Sequence, residues 1–148
     1  MHQHTRHRAA LVALLAVPAL AAGCGGGAGF EAAVKPAVVE KIDGGAATRV
    51  VLSPAAARRL DVRTVPVRAA ADGSRTVIPY AAVLYDPDGA TWTYTSPKHL
   101  VFTRQNIDVD RIEGSSAFLT KGPSVGTRVV TVGATELWGV EYGGIEED

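Results

Sequence analysis

The sequence predicts a mainly β protein: a small antiparallel β-barrel or sandwich with one or two short helices, preceded by a signal peptide and a flexible tether. Three observations carry this. Short segments with period-two alternation fill residues 75–137, and turn signals separate them at regular intervals. No heptad run or long periodic helix is present. At 148 residues the chain allows one domain with a small second lobe at most, and 47% hydrophobic against 20% charged residues places it among globular rather than disordered chains.

The leader comes first. Arg6 and Arg8 form a positive region, Ala9 to Leu20 an apolar one broken at Pro18, and Ala21-Ala22-Gly23 a run of small residues directly before Cys24. Residues 1–23 therefore read as a signal peptide, too short and wrongly flanked for a spanning helix. His2, His4 and His7 leave with it, so they build no metal tract. The run Leu20-Ala21-Ala22-Gly23-Cys24 resembles the lipobox of bacterial lipoproteins. That resemblance implies a diacylated Cys24 as the first mature residue, and an exported protein lipid-anchored at the cell membrane. An ordinary signal peptide with a leftover cysteine is the plainer alternative, but it leaves an unpaired cysteine unexplained.

Residues 24–47 read as the anchored tether and spacer. Gly25-Gly26-Gly27-Ala28-Gly29 holds no fixed backbone cheaply. One strand is expected around Val38 to Ile42, closed by the Asp43-Gly44-Gly45 turn.

The β domain spans residues 48–138. Its lead-in, 48–74, opens with Arg49-Val50-Val51-Leu52 as a strand. Ser53 is a helix N-cap with Pro54 at the first helical position, and Ala55 to Leu60 makes about two turns. Val62 to Val67 alternates as a strand, and Asp72-Gly73 centres a turn.

The main segment, 75–138, follows. Val77, Pro79, Ala81 and Val83 are expected on one face and Ile78, Ala82 and Leu84 on the other, with the strand starting, breaking or lying at an edge at Pro79. Asp86-Pro87-Asp88-Gly89 has type I turn chemistry. Trp92 and Tyr94, alternating with Thr91, Thr93 and Thr95, predict a half-buried strand. Ser96-Pro97-Lys98 is expected to turn the chain into His99 to Arg104, and Ile107 and Val109 then face opposite Asp108 and Asp110. Glu113-Gly114-Ser115 closes a hairpin onto Ala117 to Thr120, Lys121 to Ser124 turns again, and Arg128 to Val132 is the last strand. Gly133 breaks it, Ala134 to Leu137 starts a short helix, and 139–148 is a C-terminal tail with an acidic end.

These residues carry a resemblance. Val77-Ile78-Pro79 with Ala82-Val83, Gly89 with Trp92 and Tyr94, Phe102 with Ile107, and the Gly122 to Gly133 element resemble the membrane fusion (periplasmic adaptor) proteins of tripartite, RND-type efflux pumps. The similarity runs over residues 49–138 and rests on order and spacing. Gly122-Pro123 stands where that family has Gly-Leu, and the family's lipoyl-like domain and α-hairpin have no counterpart. The resemblance implies the membrane-proximal part of an adaptor, with an inner-membrane efflux permease as partner and transmembrane export as the supported process. Homo-oligomerisation stays open. The second function class is a stand-alone cell-envelope binding module for a small ligand or another envelope protein, and fold similarity does not choose between the two.

Enzyme chemistry is not expected. His99 is the one histidine after the leader, with no sign of a nucleophile and orienter beside it. Asp108, Asp110 and Glu113 fail the EF-hand spacing and read as a solvated strand face, and Asp86 and Asp88 read as turn formers first, with a weak cation site as the alternative. No cofactor or metal is expected; one cysteine excludes an intrachain disulfide and multi-cysteine sites, and Met1 is the one methionine. Formal net charge is zero, and after loss of Arg6 and Arg8 there are 13 basic against 15 acidic residues, which argues against nucleic acid. Trp92, Tyr94 and Phe102 read as core. Trp138 and Tyr142 are the candidate partner-contact residues, placed to fold back on the barrel or to be presented outward.

Overall fold

Short alternating segments that each cover only part of an apolar surface must pair edge to edge, and here they join into one nearly closed antiparallel barrel-like sheet. The computed structural model describes residues 35–42 and 47–143. Cys24, the glycine tether, the Asp43-Gly44-Gly45 turn and the acidic end lie outside them. The strands are β1 (Ala37–Ile42), β2 (Ala47–Leu52), β3 (Arg63–Pro66), β4 (Arg68–Ala69), β5 (Thr76–Pro79), β6 (Leu84–Tyr85), β7 (Thr91–Lys98), β8 (Val101–Glu113), β9 (Ser116–Lys121) and β10 (Arg128–Val132). Two helices, α1 (Pro54–Arg59) and α2 (Ala134–Gly143), complete the order.

The main path runs β3-β10-β7-β8-β9-β5-β4, with the β1–β2 hairpin joined to β8 and β6 to β7. Its terminal strands, β3 and β4, are separated in sequence by Val67 alone, so the sheet curls until its ends meet. Val67 is buried, donates its N–H to Thr127 O at 2.8 Å and accepts from Gly126 N at 2.9 Å. β8 makes the curl possible. Its first half pairs with β2 and β7, its second half with β9, and the register shifts on either side of Val109 bend it between them.

Two apolar clusters result. One gathers Val67, Ile78, Ala82, Val83, Ile107, Ala117, Leu119 and Val129. The other gathers Val50, Leu52, Tyr94, Phe102 and Val130 beneath Ala56 of α1 and Ala134 and Leu137 of α2. Adjacent residues Val129 and Val130 belong to different clusters, so β10 is covered on both faces. β7 is covered likewise, because Thr93 is as buried as Tyr94. The half-buried reading of β7 is thus corrected: α2 covers the Tyr94 face, and the threonine face that alternation alone leaves to solvent turns inward on the side of Val129, the partner of Thr95 in the second cluster.

Several local expectations hold. Ser53 Oγ accepts from Ala56 N at 3.1 Å with Pro54 at the helix start. Asp86 O accepts from Gly89 N at 3.0 Å in the predicted turn. The strand expected within the spacer is β1, and it pairs along its whole length with β2, from Ala37↔Leu52 to Ile42↔Ala47.

Others are corrected. The alternation expected through Leu84 stops at Pro79, where a 3₁₀ turn over Tyr80–Ala82 follows, and Val77 and Ile78 are both buried. The turn expected at Ser96-Pro97-Lys98 lies at His99-Leu100 instead. β7 continues through Pro97 by a register shift, and Leu100 takes the positive φ of 61°. The helix starting at Ala134 runs through Gly143 and takes up the first half of the expected tail.

Candidate functional site

The described residues most unlike a plain core lie where α2 crosses β7 and β8. Gly133 ends β10 with φ 87°, and a Cβ there would stand 3.0 Å from Val62 Cγ2, so the glycine permits a tight step from strand into helix. α2 then buries Ala134, Leu137 and Glu141 against the sheet. The 3.6 period puts Trp138 and Tyr142 side by side next to that face, with ring centroids 5.5 Å apart and planes at 14°.

Beneath them stands Arg104 of β8, whose backbone pairs with Tyr94. Its guanidinium carbon lies 4.4 Å from the ring centre of Trp92, 5.1 Å from Trp138 and 5.5 Å from Tyr142. Arg104 Nη1 donates to Tyr142 Oη at 3.3 Å. Glu141, almost fully buried, faces the same cation and also accepts from the Tyr94 and Thr48 hydroxyls. Burial, with the Glu141 carboxylate as second cause, pushes the Tyr94 phenol well above its ordinary value.

The arrangement anchors α2 to the sheet. Every donor that reaches Glu141 is committed to it, and Arg104 is enclosed by three rings. What it offers outward is aromatic surface. Tyr142 is 48% exposed, and a concavity of about 510 Å³ beside Trp138 is lined by Leu84, Tyr85, Asp86, Pro87 and Thr135. Asp86 stiffens its rim: Oδ1 accepts from Asp88 N and Ala90 N, and Oδ2 from Trp92 Nε1 at 2.9 Å. The indole bond, then the backbone bonds, hold the Asp86 carboxyl below the usual carboxylate range.

Trp138 and Tyr142, the sequence-predicted contact pair, are therefore brought together on one helix, both packed on the barrel and partly presented. Cys24 lies outside the described residues. Tyr94 and Phe102 are core, whereas Trp92 is only partly buried and serves the Arg104 cluster. His99 is exposed at the β7–β8 hairpin, on an open groove of about 600 Å³ with Pro54, Arg58, Asp61 and Leu100. Asp110 meets Arg75 and Arg111 at 3.0 Å, and Glu113 meets Arg111 at 2.6 Å. Among the described residues no group of three or more His, Cys, Asp or Glu side chains is placed to hold a metal, and no helix is long and apolar enough to cross a membrane.

Sequence reasoning missed Arg104 and Glu141. The signal was the four-residue step from Leu137 to Glu141, hidden because Gly139 and Gly143 weaken the helical reading of this stretch. Comparison with protein-family models, with curated proteins and with solved structures finds no match for this chain.

Proposed function

We propose that this chain is an exported, non-catalytic lipoprotein whose β domain docks on an inner-membrane transporter and supports export, as the membrane-proximal part of an efflux adaptor does. The observation that carries the reading is the α2 surface. Trp138 and Tyr142 are locked by Arg104 and Glu141 yet remain partly exposed, next to Tyr85 and Pro87. Aromatic side chains fixed before binding lose little entropy on docking, and such residues dominate protein interfaces. The lipobox-like run before Cys24 supports the membrane address.

A photo-crosslinking side chain at Tyr142, activated in native membranes, tests the docking. Recovery of a transport permease supports the proposal, and a crosslink-free monomer in those membranes overturns it. The anchor is read separately: Cys24→Ala releases the protein from the membrane, and inhibiting lipoprotein signal peptidase leaves the precursor uncleaved. Equal membrane retention of the Cys24→Ala protein contradicts lipidation.

A further inference from the structure

Charge is distributed unevenly along β7 and β8. At one end the strands turn at His99-Leu100, and Leu100 O accepts from Leu52 N at 3.0 Å. Ala37 pairs with Leu52 there, and Pro36 O accepts from Ser53 N at 2.9 Å. The chain from the N-terminal side thus joins the domain beside this hairpin, at Lys35.

Four cations belong to that end. Lys35 precedes Pro36, Lys98 pairs with Val101 at the hairpin, and Arg58 lines the groove shared with His99 and Leu100. Arg128 reaches the groove wall, donating to Thr64 Oγ1 at 2.7 Å and to Thr64 O at 2.5 Å. All four are exposed, and among the described residues none has a carboxylate within ion-pair reach. The one acid lining the groove, Asp61, is taken by Arg63 at 2.6 Å. Asp86, Asp88 and Asp108 cluster about the other end of β7, where Thr91 pairs with Ile107. Seven residue steps separate Thr91 from Lys98, roughly 23 Å of strand.

We propose that this basic end, with Lys35, Arg58, Lys98 and Arg128, seats against an anionic phospholipid surface. Two independent features converge on the orientation: the cations without acidic partners, and the point at which the segment leading back to Cys24 joins the domain. The orientation rests on Cys24 as the lipid anchor, with the ten residues between Cys24 and Lys35 bringing this end to the bilayer first. Each basic side chain near an anionic leaflet adds about 1 kcal/mol, or roughly fivefold in partitioning, and the attraction fades within a Debye length. A tethered domain needs no more than this to acquire a preferred face.

The full-length exported protein is mixed with vesicles of phosphatidylcholine alone or with about 30 mol % phosphatidylserine, a surface charge like that of an anionic leaflet. Lysine acetylation rates are read by mass spectrometry. Lys35 and Lys98 are expected to be protected several-fold on the anionic vesicles only, while Lys121, whose backbone pairs with Asp108 and whose Nζ donates to Asn106 Oδ1 at 3.1 Å on the acidic half, is not. Protection is expected to vanish at about 0.5 M salt, where screening acts within a few ångströms. It is also expected to fall at Lys35 when Arg58→Gln and Lys98→Gln are combined; both sites are exposed and leave the core intact. Equal acetylation of Lys35 and Lys98 on the two vesicle types overturns the proposal, as does protection that appears only in native membranes, which assigns the face to a protein. Flotation of the same samples reads the anchor. Floating with neutral vesicles supports lipidation, floating with anionic vesicles alone rejects the anchor but supports the basic face, and floating with neither rejects both.

Discussion

Arg104 Nε on β8 lies 3.3 Å from Glu141 Oε1 on α2, and the carboxylate it meets is 2% exposed. A carboxylate taken this far out of water persists only when its lone pairs are satisfied, and here Arg104, Tyr94 and Thr48 supply the partners. The helix that carries the exposed aromatics is thereby pinned to three strands.

Removing Glu141 leaves Arg104 enclosed by rings without its counter-charge. Glu141→Ala is expected to lower stability by about 3 kcal/mol, and Glu141→Gln by about half of that because the amide still accepts from Tyr94. Urea unfolding followed by tryptophan fluorescence measures both. An unchanged midpoint in Glu141→Ala would show that α2 is held by its apolar contacts alone.

Thr93 makes the opposite case. Its Oγ1 is fully buried and has no hydrogen-bond partner among the described residues. Thr93→Val keeps the shape and removes the unsatisfied hydroxyl, so a gain of about 1 kcal/mol is expected. A lower melting temperature in this variant would place a hidden acceptor, such as a water, against the hydroxyl.

The raised Tyr94 phenol gives the fold an alkaline limit. Unfolded, the phenol loses its proton near pH 10, whereas the folded state retains it. Its contribution is therefore complete below about pH 10 and is lost as pH rises toward the folded value, with a slope of at most about 1.4 kcal/mol per pH unit. Urea midpoints between about pH 8 and 11 are expected to fall in the native protein and to stay flatter in Tyr94→Phe, which starts lower. Parallel curves would remove Tyr94 as the cause.

Asp86 acts at the other extreme. Its carboxyl titrates below the usual range, so its stabilisation is complete above the ordinary carboxylate value and disappears as pH falls through the folded one. The gap in unfolding midpoint between the native protein and Asp86→Asn is expected to narrow as pH falls below about 4, and Trp92 emission to move to the red in the variant at neutral pH. A gap that stays constant as pH falls would assign the effect of Asp86 to turn propensity instead of charge.

Local chemistry made much of the fold readable. Ser53-Pro54 caps α1, Asp86 to Gly89 turns, and short β-forming runs between turn residues mark β5, β7 and β10, because each signal acts within a few residues of itself. The misplaced turn at Ser96 to Lys98 has the same root: proline marks a break in hydrogen bonding, but a bulge absorbs it, and the strand runs on until Leu100.

The sequence by itself determined a β-rich domain with short strands and its capped first helix, since alternation and capping are properties of neighbouring residues. Only the tertiary structure decided that Val67 closes the sheet, that Thr93 is buried as deeply as Tyr94, and that Arg104 and Glu141 meet beneath Trp138 and Tyr142. Those facts join residues far apart in the chain, and an ion pair out of water is stable only where distant strands and a helix have already excluded the solvent.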